Sequence, residues 1–321
     1  MNLKCLFLIC LSSLSFNLVA QENPKQYLQE AITIMKDNSV NRSKIDWTAF
    51  TKRAMDSLGN KQTIKQSQSV IRYMLRQLGD SHSNFVPAKE VEAYLKTYEE
   101  QGMAFPYAQD SLINAIAYLT VPAIGNLNEQ DWDKYVRDFY QKVKALEAKH
   151  PKAWAIDVRE NQGGMFAPMF KVVEPFLDTK NAIGSKDNAG MVNYYNINKA
   201  DITFGKLKIA KIAVPVIKLK NPRLPVYILA SKKTASSGEF VVASFVGQKN
   251  ANIVGVNTQG LTSDNSDFRL SDGSIMILTT GTLVNRKGYA YSELGKGIEP
   301  TIKATGNTLS AYIDAITATI K

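Results

Sequence analysis

Apolar residues in the first quarter of the chain recur at three- and four-residue steps. Residues 26–35 and 47–58 are amphipathic segments around the break Asn38-Ser39-Val40-Asn41, which predicts helices joined by a turn. Thr63 stands where an N-cap belongs for a third helix, with the apolar stripe Ile64, Ile71, Met74, Leu75 and Leu78. Gly79 follows at the place of a helix-ending glycine. Residues 24–78 therefore read as a small helical cap.

Further along, short apolar runs alternate with helical stretches. Residues 115–121, 153–158, 226–230 and 253–256 read as strands. Residues 129–149 form an amphipathic helix, with Trp132, Val136, Phe139, Val143 and Leu146 on one face. Residues 165–176 and the stretch up to Phe245 read as further helices, and residues 308–320 as a terminal one. Residues 268–270 and 275–278 flank Ser271-Asp272-Gly273-Ser274, a hairpin turn. Residues 177–223 read as an irregular, partly β insertion. This alternation predicts an α/β fold, a sheet covered by helices. A length of 321 residues allows roughly two domains, or one large α/β domain with an accessory piece, and the pattern divides the chain into a leading segment 1–20, a helical cap 21–88 and a core 89–321.

Composition narrows the chemistry. The only cysteines are Cys5 and Cys10, and the only histidines His82 and His150, which excludes a His-rich metal site or a Cys cluster. Residues 1–20 read as an export signal: Lys4 supplies the positive end, an apolar run follows, and Leu18-Val19-Ala20 precedes Gln21. Both cysteines lie inside it, so the mature chain is expected to lack a thiol and to act in the periplasm or outside the cell. No later segment is apolar enough for a stable membrane span. The formal net charge is +10, or +9 once Lys4 is gone. The densest basic run lies between Lys206 and Arg223 with interleaved apolar residues, as on a solvated strand face, and no nucleic-acid-binding motif accompanies it.

Three turns carry candidate chemistry. Thr234-Ala-Ser-Ser-Gly-Glu239 lies between a strand and a helix, where a serine hydroxyl is held rigidly beside the helix's N–H groups. Ser236 reads either as a nucleophile or as a helix cap. Arg159-Glu-Asn-Gln-Gly-Gly164 supplies paired glycines that let backbone approach a ligand, or a loop needing positive φ. Leu78-Gly-Asp-Ser-His-Ser83 supplies a histidine, as a base or as a structural polar group. His150, at a helix end before Pro151, is the weaker candidate base.

Taken together, LGDSHSNF (78–85), AIDVRENQGG (155–164), TASSGE (234–239), IVGVNTQG (253–260), LSDGS (270–274) and GKGIEP (295–300) resemble the tail-specific, or C-terminal-processing, serine peptidase family that includes tricorn protease. The resemblance implies a crotonase-like αββ core with an N-terminal helical cap. It implies hydrolysis of protein or peptide bonds through an acyl-enzyme, with no metal or cofactor. It assigns Ser236 as nucleophile, with the backbone N–H of Ser237 and of a glycine of Gly163-Gly164 as oxyanion donors. The lysine base of one branch of the family is matched here by Leu261, which cannot accept a proton. The Ser–His branch fits better: His82 would be the base, supported by Ser81 and by Glu293, with Glu299 the second choice for the carboxylate. Lys232 and Lys233 read as solvated. The interval 86–115 is too short for the PDZ-like domain found in many members. A binding protein for a hydrophobic ligand or peptide on the same fold, and an esterase acting on envelope polymers, remain as alternatives.

Overall fold

The computed structural model describes residues 23–320. The segment read as an export signal lies outside the described residues. Three helices open the chain: α1 (Pro24–Asn38), α2 (Trp47–Leu58) and α3 (Ile64–Arg76). Each starts on a side chain that satisfies exposed backbone N–H groups. Asn23 accepts from Gln26, Asp46 from Thr48 and Ala49, and Thr63 and Gln66 cap each other reciprocally. Their apolar faces, including Leu28, Met35, Phe50 and Met74, are fully buried. Each such side chain contributes about 1.5–3 kcal/mol. They do not close on one another alone. Phe85, Leu270, Met276 and Leu278 join the same cluster, so a hairpin from the far end of the chain lies beneath the helices.

The chain continues through β1 (Asn84–Val86), α4 (Ala88–Tyr94), β2 (Asp110–Ile113), β3 (Ile116–Thr120), α5 (Glu129–Glu147), β4 (Ala153–Asp157) and α6 (Phe166–Val173). Then come β5 (Ile183–Asp187), β6 (Val192–Asn198), β7 (Asp201–Phe204), β8 (Leu207–Lys211), β9 (Val226–Ala230), α7 (Ser237–Phe245) and β10 (Ala251–Gly255). The last elements are β11 (Ser263–Arg269), β12 (Ile275–Asn285), β13 (Ile302–Lys303) and α8 (Leu309–Thr317).

One sheet has the order β13-β10-β9-β4-β3-β2, parallel except for the edge strand β2. Both of its faces are covered. Ala153 and Ala155 of β4 pack with Tyr312 and Ile316 of α8, while Trp154 and Ile156 pack in the cluster of Phe139, Phe170 and Val242 from α5, α6 and α7. That two-sided burial is why β4 and β9 read as unbroken apolar runs.

The expected helix-covered sheet is accompanied by another one. A second, antiparallel sheet runs β1-β12-β5-β6-β7-β8, with β11 also paired to β12. The segment 177–223, read as an irregular, partly β insertion, supplies four of its strands. The hairpin around Ser271–Ser274 is also longer than its apolar residues suggest, because β11 begins in the polar run Ser263-Asp-Asn-Ser-Asp267 and carries a bulge between Asp264 and Asn265. Two of the three candidate turns, 159–164 and 234–239, lie at the carboxyl ends of β4 and β9, where open parallel sheets expose their crevices, and the third, 78–83, joins α3 to β1.

Candidate active site

Ser236 sits at the junction of the β9 turn and α7 with φ 50° and ψ −124°. A non-glycine residue adopts that conformation only when its surroundings hold it there, at a cost of about 1–3 kcal/mol. Two contacts do so. The Ser236 N–H donates to Oε2 of Glu239 at 3.1 Å, and the preceding Ala235 N–H donates to the Asn161 carbonyl at 3.0 Å. Glu239 is fully buried. Its other oxygen, Oε1, accepts from Thr258 Oγ1 at 2.5 Å and from the Gly260 N–H at 2.7 Å. Burial raises its pKa above the ordinary carboxylate value, against the lowering effect of these donors. Glu239 thus ties the serine turn to the 258–260 loop. Sequence reading gave it no role, although the Ser-x-x-Glu spacing is that of a capping box.

The Ser236 hydroxyl lies 3.2 Å from Nε2 of His82. The other ring nitrogen, Nδ1, lies 2.7 Å from Ser263 Oγ. A proton on Nδ1 donated to Ser263 leaves Nε2 as an acceptor facing Ser236. Burial lowers the His82 pKa below its ordinary value, with Asp80 and Ser263 pulling the other way. The ring is therefore neutral at pH 7 and able to take a proton. Asp80 shapes the turn that delivers it: Oδ1 accepts from the His82 and Ser83 N–H groups and from Thr279 Oγ1, and Oδ2 accepts from Ser83 Oγ.

The supporting roles given to Ser81 and Glu293 are corrected. Both ring nitrogens are taken, by Ser236 and Ser263. The Asp80 turn leaves Ser81 exposed. Glu293 is 68% exposed and pairs with Lys296 at 2.8 Å on an outer turn. Glu299 is also exposed. The two lysines near the serine are exposed, as expected, and each still has a partner. Lys232 Nζ donates to the carbonyls of Thr258, Gln259 and Gly295, and Lys233 pairs with Glu160. Leu261, matched by the motif resemblance to a lysine base, is half-buried, and His150 is exposed just beyond the end of α5.

The glycine pair packs against the serine turn. Gly163 and Gly164 both have φ near +113°. A Cβ on Gly163 would come within 2.9 Å of Ser236 Cβ, and one on Gly164 within 2.4 Å of the Ile124 carbonyl oxygen. The Gly163 N–H is already spent on Asn161 Oδ1 at 2.9 Å, so it is not an oxyanion donor in this arrangement. The N–H groups of Gly164 and Ser237 make no hydrogen bond among the described residues, and Ser237 Oγ donates to the Gly164 carbonyl at 2.7 Å, which brings the two loops together. The positive end of α7 points to the same place. Beside it runs a groove of about 610 Å³ lined by Gly164, Ser237 and Ser263 and by apolar residues such as Phe166, Phe240 and Ile277. Among the described residues no group of three or more His, Cys, Asp or Glu side chains is placed to hold a metal ion.

A serine in a strained turn, a histidine ring nitrogen on its hydroxyl and two unpaired backbone N–H groups beside it are the kinds of group that serine-type hydrolases use. Comparison with known proteins makes the class specific. The model of peptidase family S41 matches residues 115–304, so the chain belongs to that family and is a serine-type peptidase. The nisin-resistance protein of Lactococcus lactis subsp. lactis is 23% identical over 322 residues, covering 98% of this chain and 94% of that relative. The carboxy-terminal processing protease CtpA of Bacillus subtilis is 24% identical over 168 residues, 52% of this chain and only 32% of that relative. Two solved structures share the fold. A lipoprotein from Streptococcus agalactiae superposes with a TM-score of 0.72 at 22% identity, over 92% of this chain and 96% of that one. The photosystem II D1 C-terminal processing protease gives 0.63 at 15% identity, over 93% and 97%.

Proposed function

We propose that the chain is an exported peptidase that cleaves peptide bonds of proteins or peptides by a Ser236–His82 mechanism on a crotonase-like core. Ser236 Oγ attacks the scissile carbonyl carbon while its proton passes to His82 Nε2. The developing oxyanion is held by the N–H groups of Ser237 and Gly164. The C–N bond then breaks, His82 returns the proton to the leaving amine, and the acyl group remains on Ser236 as an ester. Water attacks the ester, its proton goes to His82, and the C–O bond to Ser236 breaks as that proton returns to the serine. Ser263 acts through His82, keeping the Nδ1 proton in place. The protein needs no metal or cofactor for this sequence.

The observation that carries the reading is the 3.2 Å contact between His82 Nε2 and Ser236 Oγ, which lies at the long end of hydrogen-bonding reach for an unliganded site. A fluorophosphonate probe tests it. Wild type gains one probe mass on the peptide containing Ser236, while Ser236→Ala gains none and His82→Ala reacts far more slowly. Equal labelling of wild type and Ser236→Ala would remove the serine from the mechanism. Export is tested separately, by locating the mature N-terminus of protein recovered from cell fractions. A mature start near Gln21 in the exported fraction supports it, and a full-length cytosolic product opposes it.

A further inference from the structure

The floor of the groove beside Ser236 is the face of the second sheet where β1, β12 and β11 run side by side. Asp267 and Asn84 flank Ile277 from opposite sides in register, and Val86 lies opposite Ile275 one row further on. All five residues line the groove. The Asp267 carboxylate is reached by solvent, yet it has no hydrogen bond or ion pair among the described residues. The protein around it raises its pKa by burial alone, with no cation offsetting the effect. Lys208, also on the groove wall, is held by Asp201 at 2.7 Å. Arg269, two positions along the same strand face, makes no ion pair with Asp267. The other acid of the groove is engaged, since both oxygens of Asp264 accept from the Tyr195 hydroxyl.

We propose that Asp267 selects substrates carrying a lysine or arginine, whose alkyl stem lies along Val86, Ile275 and Ile277 and whose cation meets this carboxylate. The inference rests on the peptidase reading. An apolar floor ending in one unpaired carboxylate matches a side chain with an apolar stem and a charged head. The rest of the molecule does not supply this attraction, because a chain of net charge +10 repels cationic peptides as a whole. The strand sets the distance. Ser263, which opens β11, contacts His82, and Asp267 lies four residues on, about 10–13 Å along a strand at roughly 3.3 Å per residue. An extended peptide spans that length in three or four residues, which places the cation three or four residues from the scissile bond.

Peptides of one sequence, with lysine or norleucine at each position within five residues of a cleaved bond, test the idea through kcat/KM. Wild type is expected to favour lysine about tenfold at one position three or four residues from the bond. The ratio should collapse toward one in Asp267→Asn and survive in Asp267→Glu. In parallel, fluorescent versions of the two peptides are titrated into Ser236→Ala protein, where lysine should bind about tenfold tighter and lose that advantage when Asp267→Asn is added. Equal rates and equal affinities for lysine and norleucine at every position overturn the assignment, as does a ratio unchanged in Asp267→Asn. If wild type cleaves no peptide but Ser236→Ala still binds lysine preferentially through Asp267, the peptidase reading fails and the cation site stands.

Discussion

Replacing Glu239 by glutamine keeps the shape of the side chain and removes one of its two acceptor oxygens. The carboxylate receives three hydrogen bonds, from the Ser236 N–H on one oxygen and from Thr258 Oγ1 and the Gly260 N–H on the other. Whichever way the amide is turned, its NH₂ group faces a donor. If it keeps the two bonds on the Oε1 side, the Ser236 N–H loses its acceptor inside the protein. A lost bond to a charged group costs about 1.5–3 kcal/mol, and relief from burying a charge offsets part of that. A net loss of about 2 kcal/mol lowers the melting temperature by about 3 °C in a chain of this size. The lost bond is one of the two that hold Ser236 at φ 50°, so the strained turn falls in population as well as the fold in stability. If the full 2 kcal/mol appears at the turn, fluorophosphonate labelling slows about thirtyfold. Thr258→Val is the comparison. It removes a bond on the far side of the carboxylate, and the acceptor of the Ile298 N–H, but leaves the Ser236 anchor intact. It should lower the melting temperature with a labelling rate within about threefold of wild type. Labelling of Glu239→Gln at the wild-type rate, or equal slowing in Thr258→Val, would falsify the claim that Glu239 positions the nucleophile.

Other outcomes follow from the same geometry. His82→Ala should lower kcat/KM by about 10²–10⁴-fold, and a loss under tenfold would mean that another group takes the serine proton. Ser263→Ala should lower kcat by about threefold to tenfold, the worth of one hydrogen bond, and Glu293→Ala by clearly less; the reverse order in steady-state assays would restore the carboxylate. Activity should rise with pH along a limb whose midpoint lies below 6.5, because burial lowers the His82 pKa and only the neutral ring accepts the proton. Asp264 carries the opposite sign: its pKa is raised from 3.8 to about 6, so the folded protein binds the extra proton in that window. The stability of wild type relative to Asp264→Asn, from urea titrations, should therefore fall as pH rises from 3.8 to about 6, and a rising difference would contradict the assignment.

The parallel sheet was legible because its strands are covered on both faces and read as apolar runs, as Ala153–Asp157 does. The cap of α3 was legible too, because Thr63 uses a local interaction with Gln66. Ser263 was not. It opens a strand whose next residues are Asp264, Asn265, Ser266 and Asp267, and a polar run bordered by a bulge has no two-residue period to read. Its contact with His82 also joins positions 181 residues apart, which only the pairing of β11 and β1 on either side of β12 creates. Ser81 drew attention by adjacency to His82, but the Asp80 turn sends neighbouring side chains in different directions. Glu293 matched by its place before a Gly-Ile segment, and nothing local revealed that Lys296 holds it outside.

The strain at Ser236 and the placing of the proposed oxyanion donors have a common source in Asn161, which is only 1% exposed. Its carbonyl accepts the Ala235 N–H, so it holds the residue before the nucleophile. Its Oδ1 accepts the Gly163 N–H, which bends the 159–164 loop and leaves the next N–H, that of Gly164, beside Ser237. Its Nδ2 donates to the Val121 carbonyl at 2.8 Å and so fastens both loops to the end of β3. One residue, through its backbone carbonyl and its side chain together, therefore ties the serine turn to the 159–164 loop, and its carbonyl, Oδ1 and Nδ2 have different partners. Asparagine alone supplies this combination: aspartate would set an acceptor against the Val121 carbonyl, and leucine would leave the Gly163 N–H and that carbonyl unpaired in the interior. Glycine at 163 follows from the same packing, because any side chain there meets Ser236 within 2.9 Å. Asn161→Asp should thus slow acylation even though it touches neither the hydroxyl nor the ring. Labelling at the wild-type rate in that variant would mean that the two loops hold their spacing by some other contact.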